Sequence, residues 1–160
     1  MLAIIQARLS SQRLPNKLLI KVEDSCIIDK VVYRLKQSKF ISHILIATSD
    51  TPNDDALDMH CKKKGIDTFR GNLNNVAERL CFAAMSLNQS CFVRVNGDSP
   101  LIDPTIIDDA IDIYNNNNDF DLVSNVLDRT FPKGQSVEVI NTEALYNTLN
   151  LTKNKNHLEF

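Results

Sequence analysis

The 160-residue sequence predicts an α/β fold, a mostly parallel central sheet with helices on both faces. Two observations predict it. Short apolar runs alternate with amphipathic stretches of roughly ten to fifteen residues, the pattern of βαβ units joined by right-handed crossovers. Polar stretches rich in hydrogen-bonding groups follow directly behind three of the apolar runs, where open α/β sheets form their crevices. An apolar share of 43% supplies a core, and a charged share of 24% is ordinary for a chain that folds in water. One domain over residues 1–160 is expected. No repeat is visible, and the asparagine-rich run Tyr114–Asp119 is too short for a linker.

Each element has its own justification. Leu2–Gln6 reads as a buried strand. Cys26–Gln37 reads as a helix capped by Asp24 or Ser25, with Ile27, Val31, Val32 and Leu35 on one face. Ile44–Thr48 is a second strand. Asn53–Lys64 is a helix closed by Gly65, with lysines in its last turn where the helix dipole favours cations. Thr68–Arg70 is a short strand, and Asn74–Leu87 a helix with Val76, Leu80, Ala83, Ala84 and Leu87 facing inward. Cys91–Val95 is a strand. Pro104–Tyr114 is a helix with Asp103 as N-cap and Pro104 in the first helical position, where its missing N–H costs nothing. Phe120–Val126 and Ser136–Ile140 read as strands, and Thr142–Leu151 as a final helix.

A net charge of −2 and a pI near 5.9 argue against general nucleic-acid binding. Cys26, Cys61, Cys81 and Cys91 form no CxxC pair and read as buried reduced thiols. Arg8 interrupts the N-terminal apolar run too early for a signal peptide, and no stretch approaches the ~20 apolar residues of a membrane span. A cytoplasmic protein without membrane partners is expected. His43, His60 and His157 share no metal-ligand spacing and read as surface or partly buried histidines.

The three polar stretches are Gln6–Lys17 (QARLSSQRLPNK), Thr48–Asp50 (TSD) and Asn96–Asp103 (NGDSPLID). In the first, Arg8, Arg13 and Lys17 crowd together. Arginine forks and a lysine point charge suit phosphate oxygens, and Ser10 and Ser11 add hydroxyls. The competing reading is a solvated basic loop. The stretch is neither GxxxxGK[ST] nor GxGxxG, so neither a P-loop nor a dinucleotide fold is indicated. In the third, Asp98 stands where a Mg²⁺ ligand would face phosphates, with an Asx-turn role as the alternative.

The stretches IIQARLSSQRLPNKLL, IATSD, FRGN and VRVNGDSPLIDP resemble the cytidylyltransferases that make CMP-activated acidic sugars. These include the CMP-KDO and acylneuraminate synthetases, with the spore-coat polysaccharide biosynthesis proteins as the nearest branch. The resemblance runs from Leu2 to about Ile140. It implies a Rossmann-like nucleotidyltransferase fold, CTP and a sugar or sugar acid as substrates, Mg²⁺, pyrophosphate release and a candidate homodimer. It also implies that Arg8, Ser10, Ser11, Arg13 and Lys17 hold the CTP phosphates, that Ala7, Thr48 and Ser49 lie near the cytidine, and that Arg70 approaches the nucleotide. Asp98 would bind the metal, Arg8 and Lys17 would act in catalysis, and Asn125, Arg129 and Glu138 would reach the sugar. Ser10 stands where the family usually has Gly, Asn75 where Asp is common, and Ser136 in place of Asp. The family's usual C-terminal part, with a second metal carboxylate and a dimerisation arm, is not recognised. Two alternatives remain open: a catalytically impaired nucleotide-binding module, and a nucleotidyltransferase using another nucleotide.

Overall fold

The computed structural model describes residues 1–11, 14–117 and 119–151. In chain order its elements are β1 (Leu2–Gln6), β2 (Lys21–Val22), β3 (Ser25–Cys26), α1 (Ile27–Leu35), β4 (His43–Ser49), α2 (Asp55–Lys63), β5 (Asp67–Gly71), α3 (Val76–Ser86), β6 (Cys91–Asn96), α4 (Pro104–Asn115), β7 (Leu122–Ser124), β8 (Val137–Asn141) and α5 (Thr142–Leu151). Short 3₁₀ turns at Lys17–Leu19 and Pro52–Asp54 complete the main features.

Six strands form one sheet in the order β5-β4-β1-β6-β8-β7. The β5–β4, β4–β1 and β1–β6 pairs are parallel, while β8 runs antiparallel to both neighbours. The mostly parallel sheet is therefore as expected, with a mixed edge. The strand order reverses between β1 and β6. From β1 the chain moves outward to β4 and β5, then returns to the other side of β1 as β6. Such a switch point opens a crevice at the carboxyl ends of its two strands.

Alternation along each strand divides the core. Ala3, Ile5, Val93, Val95, Val137 and Val139 face one layer containing Ile28, Val31, Leu35, Leu57, Cys61, Ile107 and Ile111. Leu2, Ile4, Leu45, Ala47 and Phe92 face the other, with Val76, Leu80, Ala83 and Ala84. Thus α1, α2 and α4 cover one face, and α3 and α5 the other. Fully burying an aliphatic side chain contributes about 1.5–3 kcal/mol, so both layers stabilise the sheet heavily.

Several boundaries differ from the expectation. The cap of α1 is Cys26 rather than Asp24 or Ser25, because Asp29 reaches back to accept the Cys26 N–H at 3.0 Å. Residues 21–26 form a two-stranded hairpin that the pattern did not suggest, turning through Glu23 at φ +59°. The helix expected from Asn53 begins at Asp55, since Pro52–Asp54 is a 3₁₀ turn that points the Asp54 carboxylate inward. The helix expected from Asn74 starts at Val76 behind the Asn75 cap, whose Oδ1 accepts the Glu78 N–H at 3.0 Å. The strand expected over Phe120–Val126 shrinks to Leu122–Ser124. Asn125 takes over the ladder with its side chain, accepting from Val137 N at 3.0 Å and donating to Gln135 O at 2.7 Å. Asp103 caps α4 as expected, accepting from Thr105 N at 2.9 Å. Gly65 ends α2 at φ +65°, in the left-handed conformation that favours glycine.

Candidate active site

The crevice at the β1/β6 switch point is a cavity of about 690 Å³. Gln6, Ala7, Arg8, Ser10, Ser11, Lys17 and Leu18 line it from the β1 side, and Asn96, Gly97 and Asp98 from the β6 side. Parallel register explains the meeting: Gln6 pairs with Asn96 on the last rung, so the residues after each strand leave the sheet side by side. The Gly97 N–H donates to Gln6 O at 2.9 Å. A Cβ at Gly97 would stand 3.1 Å from the Ala7 Cβ and 3.2 Å from Gln6 O, so glycine permits this close approach.

The basic loop is built around Leu9. Its side chain is buried, and its carbonyl accepts from Ser11 N at 2.8 Å and Asn16 N at 3.1 Å, drawing the two arms of the loop together. Asn16 takes a left-handed conformation at φ +56°, which asparagine tolerates, and delivers Lys17 into the 3₁₀ turn. The Leu9 N–H donates to Asp54 Oδ1 at 2.6 Å. The other Asp54 oxygen accepts from the Ser49 N–H at 3.1 Å and from the Ser49 hydroxyl. One buried carboxylate therefore ties the loop after β1 to the end of β4.

Arg8 and Ser10 are exposed, and Ser11 is half-buried. Lys17 is ion-paired with Asp98 across the crevice, with side-chain exposures of 25% and 48%. Both partners remain open to solvent, so their charges are available to a ligand.

The structure thus brings together Ala7, Arg8, Ser10, Ser11, Lys17 and Asp98. Arg13 and His157 lie outside the described residues. Thr48 and Ser49 do not present their side chains to the crevice. Both are fully buried, and Ser49 is occupied by Asp54 and Thr51. Arg70 is also engaged elsewhere: it donates to Ser49 O at 3.0 Å and Thr51 O at 2.9 Å and pairs with Asp55 at 2.7 Å. These contacts make it a brace of the β4 turn.

A second cavity of about 330 Å³ adjoins the first through Asn96, which lines both. Arg94, Val126, Arg129, Ser136 and Glu138 complete it. Arg94 and Glu138 are directly opposed on β6 and β8 and form a part-buried ion pair at 2.6 Å. Arg94 Nε also donates to Gln6 Oε1 at 2.9 Å, so a polar chain runs from one cavity toward the other. Of the sugar-side candidates, Arg129 and Glu138 reach this cavity, while Asn125 is occupied with the backbone of β8 and the turn before it.

Four contributors were missed by sequence reasoning. Gln6, Asp54 and Arg94 gave no local signal beyond being polar residues in or beside strands and helices. Arg79 sits on an otherwise apolar helix face, 1% exposed, and donates to Asn72 O and Leu73 O in the turn before α3. Burial pulls its guanidinium below the usual range, and the nearby Asp54 charge offsets part of that.

Comparisons with known proteins give the family and the fold. A family model described as cytidylyltransferase matches residues 2–159. The chain is 35% identical over 149 residues to the spore coat polysaccharide biosynthesis protein SpsF of Bacillus subtilis, covering 90% of this chain and 60% of that one. It is 35% identical over 109 residues to a 3-deoxy-manno-octulosonate cytidylyltransferase of Chloroherpeton thalassium, covering 68% of this chain and 43% of that protein. The chain therefore spans about three fifths or less of these curated relatives. A solved structure of a cytidylyltransferase from Leptospira borgpetersenii superposes with a TM-score of 0.93 at 32% identity, over 99% of this chain and 67% of that one. A CMP:2-keto-3-deoxy-manno-octonic acid synthetase complexed with CTP shares the fold, with a TM-score of 0.75 at 18% identity over 96% of this chain and 79% of the other.

Proposed function

The chain belongs to the cytidylyltransferase family, and from that premise we propose that it transfers the cytidylyl group of CTP to a sugar hydroxyl in surface polysaccharide biosynthesis. The observation that carries this reading is the convergence of Arg8, Ser10, Ser11, Lys17 and Asp98 on one cavity at the sheet's switch point. A sugar oxygen bonds to the α-phosphorus, the bond from that phosphorus to the bridging β-phosphate oxygen breaks, and pyrophosphate carries away the electron pair. Catalysis of this kind is mostly positioning and charge neutralisation. Arg8 and Lys17 neutralise the departing pyrophosphate, and the serine hydroxyls orient the phosphates; Arg13 joins them on the strength of the family motif.

The residues fit Mg²⁺. Asp98 offers a half-exposed carboxylate at the cavity, and Mg²⁺ usually takes one or two carboxylates together with phosphate oxygens. When bound, the ion would offset charge on the phosphates as the leaving group departs. Lys17 then gives up Asp98 and turns to the phosphates. We place the acceptor in the second cavity and assign it an acidic group. Glu138 already neutralises Arg94, which leaves exposed Arg129 to meet a carboxylate, with the Ser136 hydroxyl beside it. Four unpaired cysteines accord with a reducing compartment such as the cytoplasm. Among the described residues no helix is long and apolar enough to cross a membrane.

The test is a melting panel of CTP, UTP, GTP and ATP with Mg²⁺, followed by a pyrophosphate-release assay with candidate sugar acids. CTP is expected to raise the melting temperature most, since a native-state ligand adds about 2.7 kcal/mol at a hundred times its Kd. Equal shifts with all four nucleotides would remove the cytidylyl assignment. Selective CTP binding without pyrophosphate release from any acceptor would leave a nucleotide-binding module.

A further inference from the structure

We propose a second site on this chain, a binding site for a thiophilic divalent cation such as Zn²⁺, formed by Cys26, Asp29 and His60. It lies behind the phosphate loop, on the α1/α2 side of the sheet. Sequence spacing hid it, because Cys26 is the N-cap of α1 and Asp29 lies in its first turn, while His60 comes from the last turn of α2. The capping contact between them, Asp29 reaching back to the N-cap residue, brings the first two together. The third arrives through the packing of α2.

One ligand atom from each residue lies within 4.8 Å of the other two. The Asp29 carboxylate is already shared: Oδ2 accepts from the Cys26 N–H at 3.0 Å, and Oδ1 accepts from His60 Nε2 at 2.7 Å. These bonds fix the carboxylate and turn the imidazole toward it. A tetrahedral zinc ion binds thiolate at about 2.3 Å and imidazole or carboxylate at about 2.0–2.2 Å, which sets its ligands roughly 3.3–3.7 Å apart. Metal entry therefore replaces the proton between Asp29 and His60, opens that contact slightly, and draws in the Cys26 sulfur.

The charge and chemistry match. A thiolate and a carboxylate supply two negative charges and the imidazole a neutral nitrogen, which together neutralise a divalent ion. Thiolate and imidazole suit zinc and its neighbours in the transition series better than Mg²⁺. The Cys26 thiol now donates toward Leu19 O at 3.3 Å, and on binding its proton leaves to solvent. Burial and the Asp29 charge hold that thiol above its usual range, as expected of a buried thiol in the metal-free state. Lys21 and Lys64 stand near the cluster, but both are exposed and their repulsion is screened. Asp29 and His60 side chains keep 14% and 21% of their exposure, which leaves the cluster accessible from solvent. Because Leu19 closes the 3₁₀ turn that carries Lys17, an ion here would clamp α1 to α2 directly beneath the loop.

The experiment is a Co²⁺ titration of the full chain under a phosphine reductant, followed by absorption. The expected result is a thiolate-to-cobalt charge-transfer band and tetrahedral d–d bands that saturate at one equivalent and bleach when Zn²⁺ is added. Cys26→Ser should abolish the charge-transfer band, and His60→Gln should weaken cobalt binding at least tenfold. Cys91→Ser should leave both unchanged. No band in the unaltered protein, or a band that survives Cys26→Ser, would overturn the assignment. Should Cys26→Ser fail to fold, His60→Gln decides alone, and unchanged cobalt affinity in that variant would overturn the site.

Discussion

The ends of β4 and β1 open toward the same side of the sheet, yet they use their polar residues in opposite ways. At the end of β4, Ser49 is fully buried and bonded to Asp54, while Arg70 braces Ser49 and Thr51 through their carbonyls. There Ser49, Thr51 and Arg70 are consumed by one another, by Asp54 and by backbone, and the Thr48 hydroxyl is buried without a partner among the described residues. At the end of β1, Arg8 and Ser10 are exposed, and Lys17 and Asp98 share a solvent-facing pair. There the polar groups are left over. A buried polar group must be satisfied inside the protein, whereas one lining an open cavity can wait for a ligand. The first region is thus a scaffold and the second a candidate site, although both read alike as polar stretches behind strands.

Substitutions should separate the two. The largest effect is expected from Asp54→Ala, which leaves two buried backbone N–H groups without their acceptor and the Ser49 hydroxyl with Thr51 alone. At about 1–3 kcal/mol for each orphaned buried group, stability should fall by about 3 kcal/mol or more. Urea unfolding measures it, and a loss below about 1 kcal/mol would deny Asp54 its anchoring role. Gly97→Ala should come next. Its Cβ meets Ala7 and Gln6 inside ordinary contact distance, so overpacking should cost about 1–3 kcal/mol and widen the β1/β6 junction. CTP affinity should drop with it, and a variant with unchanged stability and affinity would show that the junction yields freely.

An alkaline titration probes the core beneath the scaffold. Burial, with help from the Asp58 and Asp29 charges, pushes the Cys61 thiol from 9.0 up to about 12. Below pH 9 both folded and unfolded chains hold the proton, and this contribution is complete. As pH rises, the unfolded thiol ionises first, so stability should drain away between about pH 9 and 12. Replacing Cys61 with Ala should flatten that part of the stability–pH curve; an unchanged slope would mean that other groups set it. The smallest stability effect belongs to Asp98→Asn. A partly exposed ion pair contributes about 0–1 kcal/mol, so the melting temperature should hardly move while the Mg²⁺ dependence of CTP binding collapses. If instead the variant melted early and kept its metal dependence, Asp98 would belong with the scaffold.

The parts legible in the sequence were those governed by local pattern. Strand and helix order followed from periodicity, and Asp103 and Gly65 announced their helix ends through residue type. The β1 loop and Asp98 could be paired because strand ends converge in such sheets. Asp54 could not be found this way, since its partners Leu9 and Ser49 meet it only after β1 and β4 have paired. Arg79 defied the rule that charged residues face water: the carbonyls of residues 72 and 73 take up one of its terminal nitrogens, while its Nε is buried without a partner among the described residues. The Lys21–Cys26 hairpin was too short to show any alternation. Cys26 and His60 likewise read as an ordinary thiol and an ordinary histidine until two helices brought them together.

The central position of β1 has a consequence for biosynthesis. β1 is made early, but one flank is covered only by β6, and its Gln6 meets Arg94 across 88 residues of chain. Until that distance has left the ribosome, a nascent chain can pair β1 with β4, and β4 with β5, while a strand of Leu, Ala and Ile still offers an unprotected hydrogen-bonding edge. Such edges invite intermolecular pairing, and contacts so distant in sequence form slowly. The crevice at the β1/β6 junction is therefore a late product of folding. Chains stalled or truncated before β6 would carry the basic loop without its acidic partner and would be the species most in need of a chaperone.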